Sequence, residues 1–320
     1  MVDNELLIKV DVLEKITCCP YCGESLQYRR DYIRCKNELC NKSFPIVGGI
    51  PVIINQNKSV FENSDFETKN KTYFKFDTKG LRIFEAIKKL LPNISHNLAA
   101  ERNFSNLENL LIQKQANSKI LIIGAGISGQ GIDVILSNKN FIVVESDVAF
   151  GPRTSIIADA HCLPFIDGVF DAVICQAVLE HVVDPMLCIA EMYRVLGPDG
   201  LIYSETPFMQ QVHGGRYDFT RFTYRGHRGA FGNFEEIDSG MTAGPAMAFA
   251  WSWVYLLQSF AIGKLSKLFL KLIGTLTVFP LKYLDYFLIK LPNSRDAASG
   301  FYFLGKKSSK KLSVKQIINY

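Results

Sequence analysis

The sequence predicts an α/β fold with a mostly parallel sheet, a small cysteine-bearing unit ahead of it and an apolar helical insertion within it. Three observations predict this architecture. Short apolar segments alternate with helical segments between 119 and 207, which is typical of a sheet wound by right-handed crossovers. Five of the eight cysteines lie between Cys18 and Cys40. Residues Met241 to Gly263 carry no charge.

Composition indicates an intracellular globular protein. With 320 residues the chain is long enough for two domains and a sizeable core, and its net charge of +5 is small. Residues 1–15 mix charged and apolar side chains, which argues against a secretory signal segment. Cys162, Cys175 and Cys188 are scattered, and we expect them to be small buried apolar residues. No disulfide framework is indicated, so we expect a cytoplasmic protein.

The clustered cysteines form two pairs, Cys19 with Cys22 and Cys35 with Cys40. Two thiolate pairs on short hairpins are typical of a tetrahedral zinc site, although the second pair has a wider spacing than usual. Cys18 is an alternative to Cys19 as ligand. Four thiolates leave no open coordination position, so the predicted role of the zinc is structural, and the unit would be structural or partner-binding. A ribbon that has lost its metal is the alternative.

The parallel sheet begins with a strand that breaks into glycines. Ile120 to Ile123 is followed by Gly124-Ala125-Gly126-Ile127-Ser128-Gly129, a turn that brings backbone N–H groups close to a bound cofactor. The second strand, Phe141 to Val144, leads to Glu145 and Asp147. An acid there can accept hydrogen bonds from a ribose diol. The glycines alone also fit the dinucleotide fingerprint, so a NAD- or FAD-dependent oxidoreductase is an alternative.

Further motifs follow the glycine turn in a fixed order. They are Ala158-Asp159-Ala160 with Leu163-Pro164-Phe165, Phe170-Asp171-Ala172-Val173, Leu179-Glu180-His181-Val182 and Leu196-Gly197-Pro198-Asp199-Gly200. With them, 120–238 and 299–307 resemble class I S-adenosylmethionine (SAM)-dependent methyltransferases of the methyltransferase type 11-like kind. The resemblance implies SAM as cofactor and a doubly wound sheet of seven strands whose last strand is antiparallel. The cysteine unit, with Phe44 to Val52, resembles the Trm112-like zinc-ribbon family.

The resemblance also implies which residues bind the cofactor. The glycine turn would approach the methionine moiety, Asp147 would bind the ribose with Glu145 as the second choice, and Asp159 would bind the adenine amino group. The full set implied is Gly124, Ala125, Gly126, Asp147, Glu145, Asp159, Ala160 and Gln176. Ile122 stands where the family usually has an acid. Asp171 and Glu180 are interpreted as turn and helix-cap residues.

The loop after the fifth strand carries the candidate catalytic residues. It runs from Thr206 to Thr223 and leaves the carboxyl end of a strand, where open α/β proteins place substrates. The candidates are His213, Tyr217, Asp218 and Arg221. We predict that His213 is the base for methyl transfer to oxygen or nitrogen, and that Asp218 orients it or substitutes for it. The alternative is a rigid lid whose side chains only satisfy backbone groups.

An unusual insertion separates the last two strands, Phe234 to Ser239 and Gly300 to Gly305. Between 241 and 298 its charged side chains are six basic and two acidic. The uncharged run is long enough to span a bilayer, but the seventh strand must rejoin the sheet on the side it left. We therefore predict an apolar, basic segment lying in a membrane interface. A soluble lid and a homodimer interface are the alternatives.

These observations predict four regions. They are 1–57, a zinc ribbon; 58–117, a linker and covering helices; 118–308, the methyltransferase domain with the insertion 241–298; and 309–320, a basic tail. The polar linker covers 55–78, and helices are predicted over 81–91 and 97–115. The predicted function is SAM-dependent methylation of an oxygen or nitrogen of a small acceptor, such as a lipid-linked or surface-glycan intermediate. A non-catalytic scaffold is a further alternative, and the basic residues do not form a groove for nucleic acid.

Overall fold

The computed structural model describes residues 11–67, 92–127 and 129–320. The helix predicted over 81–91 lies outside these ranges, as does the second half of the predicted linker.

The N-terminal unit is a small antiparallel sheet. Residues 11–16 are helical and precede it. Its strands, in chain order, are β1 (Leu26–Tyr28), β2 (Tyr32–Cys35), β3 (Ser43–Val47) and β4 (Ile50–Pro51). Each strand pairs with the next along the chain. Cys19, Cys22 and Cys40 lie on loops, and Cys35 is the last residue of β2.

Seven strands form the main sheet, and the predicted fold class is confirmed. In chain order they are β5 (Lys119–Ile123), β6 (Ile142–Asp147), β7 (Ile156–Ile157), β8 (Phe170–Gln176), β9 (Leu196–Pro207), β10 (Phe234–Ala243) and β11 (Gly300–Lys307). Across the sheet the order is β10-β11-β9-β8-β5-β6-β7. Strands β5 to β9 pair in parallel, and β11 is antiparallel to both of its neighbours.

Helices cover both faces of this sheet. In chain order they are α1 (Ala100–Lys114), α2 (Asp133–Ser137), α3 (Pro185–Val195), α4 (Tyr224–Ala230), α5 (Pro245–Gln258), α6 (Lys264–Val278), α7 (Asp285–Leu288) and α8 (Val314–Ile318). The helix predicted over 97–115 is α1, which buries Phe104, Leu107 and Leu111. Alternate residues of β5 face opposite cores, with Leu121 in one and Ile120 in the other, as the period of a strand requires.

The ribbon shares one apolar core with the main sheet. Ile33 and Phe44 of the ribbon lie in the same buried cluster as Phe165 and Phe170. The backbone of Val52 pairs in parallel with Ile157 of β7, and the Ile53 N–H donates to the Ile157 carbonyl at 3.0 Å. The ribbon therefore extends the edge of the sheet instead of standing apart from it.

The described part of the predicted linker is packed, which corrects the sequence-based interpretation. Phe61 and Phe66 are buried, with Phe66 inside a 3-10 turn over Asn63–Phe66. The Asn55 side chain donates to the carbonyl of Pro20 at 2.8 Å. Polar composition alone does not reveal two aromatic side chains that tertiary contacts bury.

The insertion is helical, as predicted, and the buried Asp285 joins two of its helices. Its helices α5 and α6 pack on each other. The buried Asp285 carboxylate accepts hydrogen bonds from the N–H groups of Ala246 and Met247, at 3.0 and 2.9 Å. These groups belong to the first turn of α5, where the helix dipole favours a negative charge. This contact joins the start of α5 to α7 within the insertion.

Candidate active site

A cavity of about 830 Å³ lies at the carboxyl ends of the parallel strands. Its wall includes the glycine turn, the ends of β6, β8 and β9, and the loop after β9. Val60 and Phe61, which follow the ribbon, line it as well, and so does Trp251 of the insertion. Three regions that are distant in sequence therefore meet at the place where such folds bind ligands.

Val178 and Asp147 pack closely against the glycine turn. Gly124 has a φ of +79°, and a Cβ there would lie 2.3 Å from a methyl group of Val178. A Cβ on Gly126 would lie 2.8 Å from the Asp147 carboxylate, which accepts the Gly126 N–H at 2.7 Å. Gly124 and Gly126 line the cavity. Ala125 is buried instead, 1% exposed, and its side chain packs in the apolar core beneath the turn.

The two candidate ribose acids occupy different environments. Asp147 lines the cavity, and burial raises the pKa of its carboxyl, although backbone N–H groups act against this shift. Glu145 is absent from the cavity wall and pairs with Arg153 at 2.8 Å, from the Nε to a carboxylate oxygen. The geometry therefore favours Asp147 over Glu145 as the acid that faces a ligand.

Asp159 and Ala160 also line the cavity, and Asp159 is held firmly. Its carboxylate accepts from the backbone N–H of His161 at 2.9 Å and from the Nδ1 of that ring at 2.7 Å. A third hydrogen bond comes from the hydroxyl of Ser59. Burial acts to raise the pKa of Asp159, but these hydrogen bonds outweigh it and hold the pKa below its usual range.

Gln176 lines the cavity beside an acid that the sequence analysis missed. Its side-chain amide donates to the Glu205 carboxylate at 2.9 Å, and Asn97 donates to both Glu205 oxygens at 2.9 Å. Tyr203 donates a further hydrogen bond. Burial raises the pKa of Glu205. The sequence signal that could have identified Glu205 is its position as an acid at the carboxyl end of an apolar strand.

The structure divides the four predicted catalytic residues. His213 and Tyr217 line the cavity, whereas Asp218 and Arg221 do not. The Asp218 carboxylate accepts from the N–H groups of His213 and Gly214, at 2.8 and 3.0 Å, and pairs with Arg221 at 2.6 Å. Burial opposes these bonds, yet they hold the pKa of Asp218 far below its usual range. Asp218 is therefore no substitute base, which corrects that half of the prediction, whereas its bond to the His213 N–H and the 3.6 Å between its Oδ2 and the His213 Nδ1 agree with the orienting role.

Arg221 completes the frame of this loop. Besides Asp218 it donates to the carbonyls of Gln210 and Gln211, at 3.0 and 3.2 Å. A guanidinium that joins several loop carbonyls to one carboxylate stabilises a single loop conformation. Asp218 and Arg221 thus behave as in the rigid-lid alternative, since their side chains bond to each other and to backbone groups of the loop. His213 and Tyr217 remain the candidates for ligand contact.

Asp218→Asn is expected to lower the free energy of unfolding at pH 7 by about 2 kcal/mol, because charge-assisted hydrogen bonds are lost. The depressed pKa means that the ionised carboxylate stabilises the folded state above the unfolded pKa of about 4. The contribution is lost as pH falls toward the folded pKa, so the difference between the two proteins should shrink below pH 4. Urea unfolding across this range measures it. Asp167→Asn, at an exposed partner of Arg194, is the control, and an equal effect there would contradict the prediction.

Glu180 lies at the same end of the cavity and does not cap a helix, which corrects its interpretation. The residue is 1% exposed, and neither carboxylate oxygen has a hydrogen-bond partner among the described residues. The Nε2 atoms of His181 and His213 each lie 3.8 Å from its Oε1. The carboxylate of Glu180 raises the pKa of His213. In the sequence, Glu180 and His181 are part of a family motif, and nothing there predicts that they lie beside His213.

Comparison with known proteins agrees with the fold. Residues 128–204 match the family described as "Methyltransferase domain". With the sheet order and the glycine turn, this match decides the class of enzyme. The chain carries a SAM-dependent methyltransferase domain. No curated protein matches the sequence significantly.

Solved structures that resemble the methyltransferase domain share little sequence with it. The [4+2]-cyclase SpnF is 16% identical, with 70% of this chain and 92% of that chain covered and a TM-score of 0.41. Phosphoethanolamine N-methyltransferase 2 of Haemonchus contortus, in complex with SAM, is 14% identical, with 64% and 53% covered and a TM-score of 0.39. The 1,6-didemethyltoxoflavin-N1-methyltransferase of Burkholderia thailandensis is 15% identical, with 66% and 79% covered and a TM-score of 0.38.

The four predicted zinc ligands converge beside the methyltransferase domain. The Sγ atoms of Cys19 and Cys40 lie 3.7 Å apart, and those of Cys22 and Cys35 lie 3.5 Å apart. Four thiolates around a zinc ion with Zn–S bonds of about 2.3 Å are separated by about 3.8 Å, so this donor set fits a tetrahedral metal. Cys18 is outside the cluster and is buried. The alternative register with Cys18 as ligand is therefore excluded.

The insertion packs on the loop that carries His213. The Tyr255 hydroxyl donates to the Val212 carbonyl at 2.8 Å, and Gln211 donates to the Ser252 hydroxyl at 3.0 Å. The insertion presents apolar side chains to the outside. Those with the largest exposed fractions are Ile262 101%, Leu265 72%, Phe260 71%, Phe287 65% and Phe269 61%. Within the described ranges, none of the helices has the length and hydropathy needed to cross a bilayer.

Proposed function

We propose that the methyltransferase domain transfers the methyl group of SAM to an oxygen or nitrogen of a small acceptor, and that this acceptor is presented at a membrane surface. One observation carries the proposal. A single cavity contains the glycine turn with Asp147 and Asp159, and it also contains the cluster of Glu180, His181 and His213. SAM supplies an electrophilic methyl group whose bonding electron pair remains on the sulfur as the methyl leaves.

The residues of the cavity fit this cofactor. A side chain at Gly124 or Gly126 would collide with Val178 or Asp147, so the two glycines let the turn lie directly at the cavity wall beside Asp147. Asp147 would accept the hydroxyl groups of a ribose, and Asp159 with Ala160 would contact the adenine. Phe61 stacks on Tyr217 with ring centroids 6.1 Å apart, so an aromatic wall closes one side.

His213 is the residue that we assign to the acceptor, with Glu180 as the carboxylate beside its Nε2 and Asp218 as the residue that orients it. An acceptor O–H or N–H uses its lone pair to bond the methyl carbon and must lose one proton. A histidine beside a buried carboxylate can take that proton, because the carboxylate stabilises the imidazolium. Tyr217 lines the same wall and its backbone carbonyl accepts from His181 at 2.6 Å, which orients the neighbouring ring.

The insertion supports the membrane part of the proposal. Its exposed apolar side chains adjoin Lys264, Lys267 and Lys271, all of them exposed. Apolar groups with adjacent lysines suit the interface of a bilayer that contains anionic lipids. Trp251 of the same insertion lines the cavity, so a lipid-linked acceptor, such as a surface-glycan intermediate, would reach the site from this side. We assign the protein to the cytoplasmic face.

We further propose that the four cysteines hold a structural zinc ion, as the resemblance to Trm112-like ribbons implies. All four Sγ atoms lie within 4.8 Å of one another. The ribbon then acts as a folded support for residues 55–61.

Calorimetric titration with S-adenosylhomocysteine, and with NADH in parallel, tests the cofactor assignment. We expect micromolar binding of S-adenosylhomocysteine, weakened at least roughly tenfold in Asp147→Ala because two hydroxyl hydrogen bonds are lost. Glu145→Gln is the matched control and should bind within about twofold of the wild type. Binding of NADH instead would identify an oxidoreductase. Binding of neither ligand would leave the scaffold alternative.

Methylation assays with radiolabelled SAM test the acceptor. Lipid extracts containing lipid-linked intermediates should become labelled, and water-soluble glycans should not. Labelling only of the soluble acceptors would contradict the membrane assignment while leaving methyl transfer intact.

A further inference from the structure

We infer that Glu180, His181 and His213 bind a divalent transition-metal cation at the acceptor end of the cavity. The inference deepens the proposed function, since it concerns how the same site would hold an acceptor. A metal ion with two imidazole ligands and one carboxylate keeps open positions, which makes this ligand set suitable for binding a substrate.

The state of Glu180 is the first observation. Its side chain is 1% exposed, and both carboxylate oxygens lack a hydrogen-bond partner among the described residues. A buried carboxylate without such partners is costly, and proteins ordinarily pair it or use it to coordinate a metal. Glu180 lines the cavity, so its oxygens can reach an ion that enters from there.

The orientation of both histidine rings is the second observation. The Nδ1 of His181 faces the carbonyl of Tyr217 at 2.6 Å, and the Nδ1 of His213 faces the carbonyl of Gln211 at 3.2 Å. A carbonyl only accepts, so in the neutral rings Nδ1 carries the hydrogen and Nε2 carries the lone pair. Backbone carbonyls that fix a tautomer in this way are typical of histidines that ligate metals.

The distances are compatible with a shared ion. Both Nε2 atoms lie 3.8 Å from the Glu180 Oε1, and the three ligand atoms lie within 4.8 Å of one another. Ligands at about 2.1 Å from one ion are separated by roughly 3.0 to 3.4 Å. Small rotations of the three side chains would therefore bring their ligand atoms to the separation that a shared ion requires.

The surrounding loop holds the third ligand in place. A Cβ on Gly214 would lie 2.5 Å from the Nδ1 of His181, so the loop that carries His213 lies directly against the turn that carries His181. Asp218 accepts the N–H groups of His213 and Gly214, and the Glu180 carbonyl accepts the N–H of Phe219 at 2.8 Å. These contacts join the His213 loop to the segment that carries Glu180 and His181.

A cation in this position specifies the class of acceptor. A metal ion lowers the pKa of a bound hydroxyl group, so the acceptor oxygen would lose its proton to water before it bonds the methyl carbon. With the ion bound, His213 is a ligand and not the base. Two adjacent open positions favour an acceptor with neighbouring oxygens, such as a vicinal diol of a sugar.

Titration with Mn²⁺, followed by the electron paramagnetic resonance signal of the free ion, tests the inference in protein that holds one equivalent of zinc, the amount that the four cysteines would bind. Mn²⁺ prefers nitrogen and oxygen ligands, so the thiolates of the ribbon do not compete for it. We expect one equivalent to bind, and Glu180→Gln and His213→Gln each to weaken binding roughly tenfold or more. His96→Gln, which changes a histidine of the same cavity wall, is the matched control and should bind as the wild type does.

Binding of S-adenosylhomocysteine is measured on every variant to show that each is folded. No Mn²⁺ binding by the wild type, or equal binding by all variants, would overturn the cation site. If the protein transfers methyl groups without a metal at this site, the proposed function stands and only the cation site is wrong. If the wild type does not bind S-adenosylhomocysteine, the proposed function itself is wrong.

Discussion

Removing the proposed zinc ion from the four-cysteine cluster is expected to weaken S-adenosylhomocysteine binding roughly tenfold or more, although no cysteine lines the cavity. Structural zinc sites contribute directly to folding, so the ribbon loosens without the ion. The segment that follows it carries Asn55, whose side chain bonds the ribbon at Pro20, and then Ser59 and Phe61. Ser59 donates to Asp159, and Phe61 lines the cavity. Loss of the ribbon therefore disturbs the predicted adenine side of the site.

Calorimetry on chelator-treated and zinc-restored protein measures this effect. Cys22→Ser should reproduce the loss, because Cys22 is in the cluster, and Cys18→Ala should not, because Cys18 lies outside it. Ser59→Ala should give a smaller loss of affinity while leaving the metal content unchanged. Unchanged affinity in metal-free protein would show that the methyltransferase domain builds its cofactor site without the ribbon.

Replacing the exposed apolar side chains of the insertion is expected to abolish binding to anionic liposomes. The variant changes Phe260, Ile262, Leu265 and Phe269 to serine. Each such side chain contributes about 1 to 2 kcal/mol when it leaves water, so partitioning should fall at least roughly a hundredfold. Flotation with liposomes of neutral and of anionic lipids measures it. Changing Lys264, Lys267 and Lys271 to glutamine should weaken binding to the anionic liposomes alone.

The control for the apolar change is Leu39→Ser, since Leu39 is 98% exposed on the ribbon, far along the chain from the insertion. Equal flotation of the wild type and the apolar variant would contradict the membrane assignment. A dimer of the wild type in sedimentation analysis that the variant does not form would assign the same surface to a second copy of the chain.

Local pattern determined much of this protein. The apolar strand that breaks into Gly124 and Gly126 predicted the turn, because only glycine tolerates that backbone and that approach. The alternation of strands and helices predicted the parallel sheet, and the spacing of four cysteines predicted a cluster that the structure forms. These features depend on residues close together in sequence or on chemistry that few residue types supply.

Tertiary structure decided what local pattern left open. Glu145 and Asp147 are two positions apart on one strand and so point to the same face, and tertiary structure separates their roles, because Glu145 pairs with Arg153 and Asp147 lines the cavity. The sequence presents Asp218 as a candidate base, but in the structure its carboxylate is bonded to Arg221 and to two backbone N–H groups. Glu180 and His213 lie 33 positions apart and meet only through the fold. Burial and long-range pairing determine the protonation of these carboxylates and histidines and which atoms they can contact. Neither can be read from the spacing of residues along the chain.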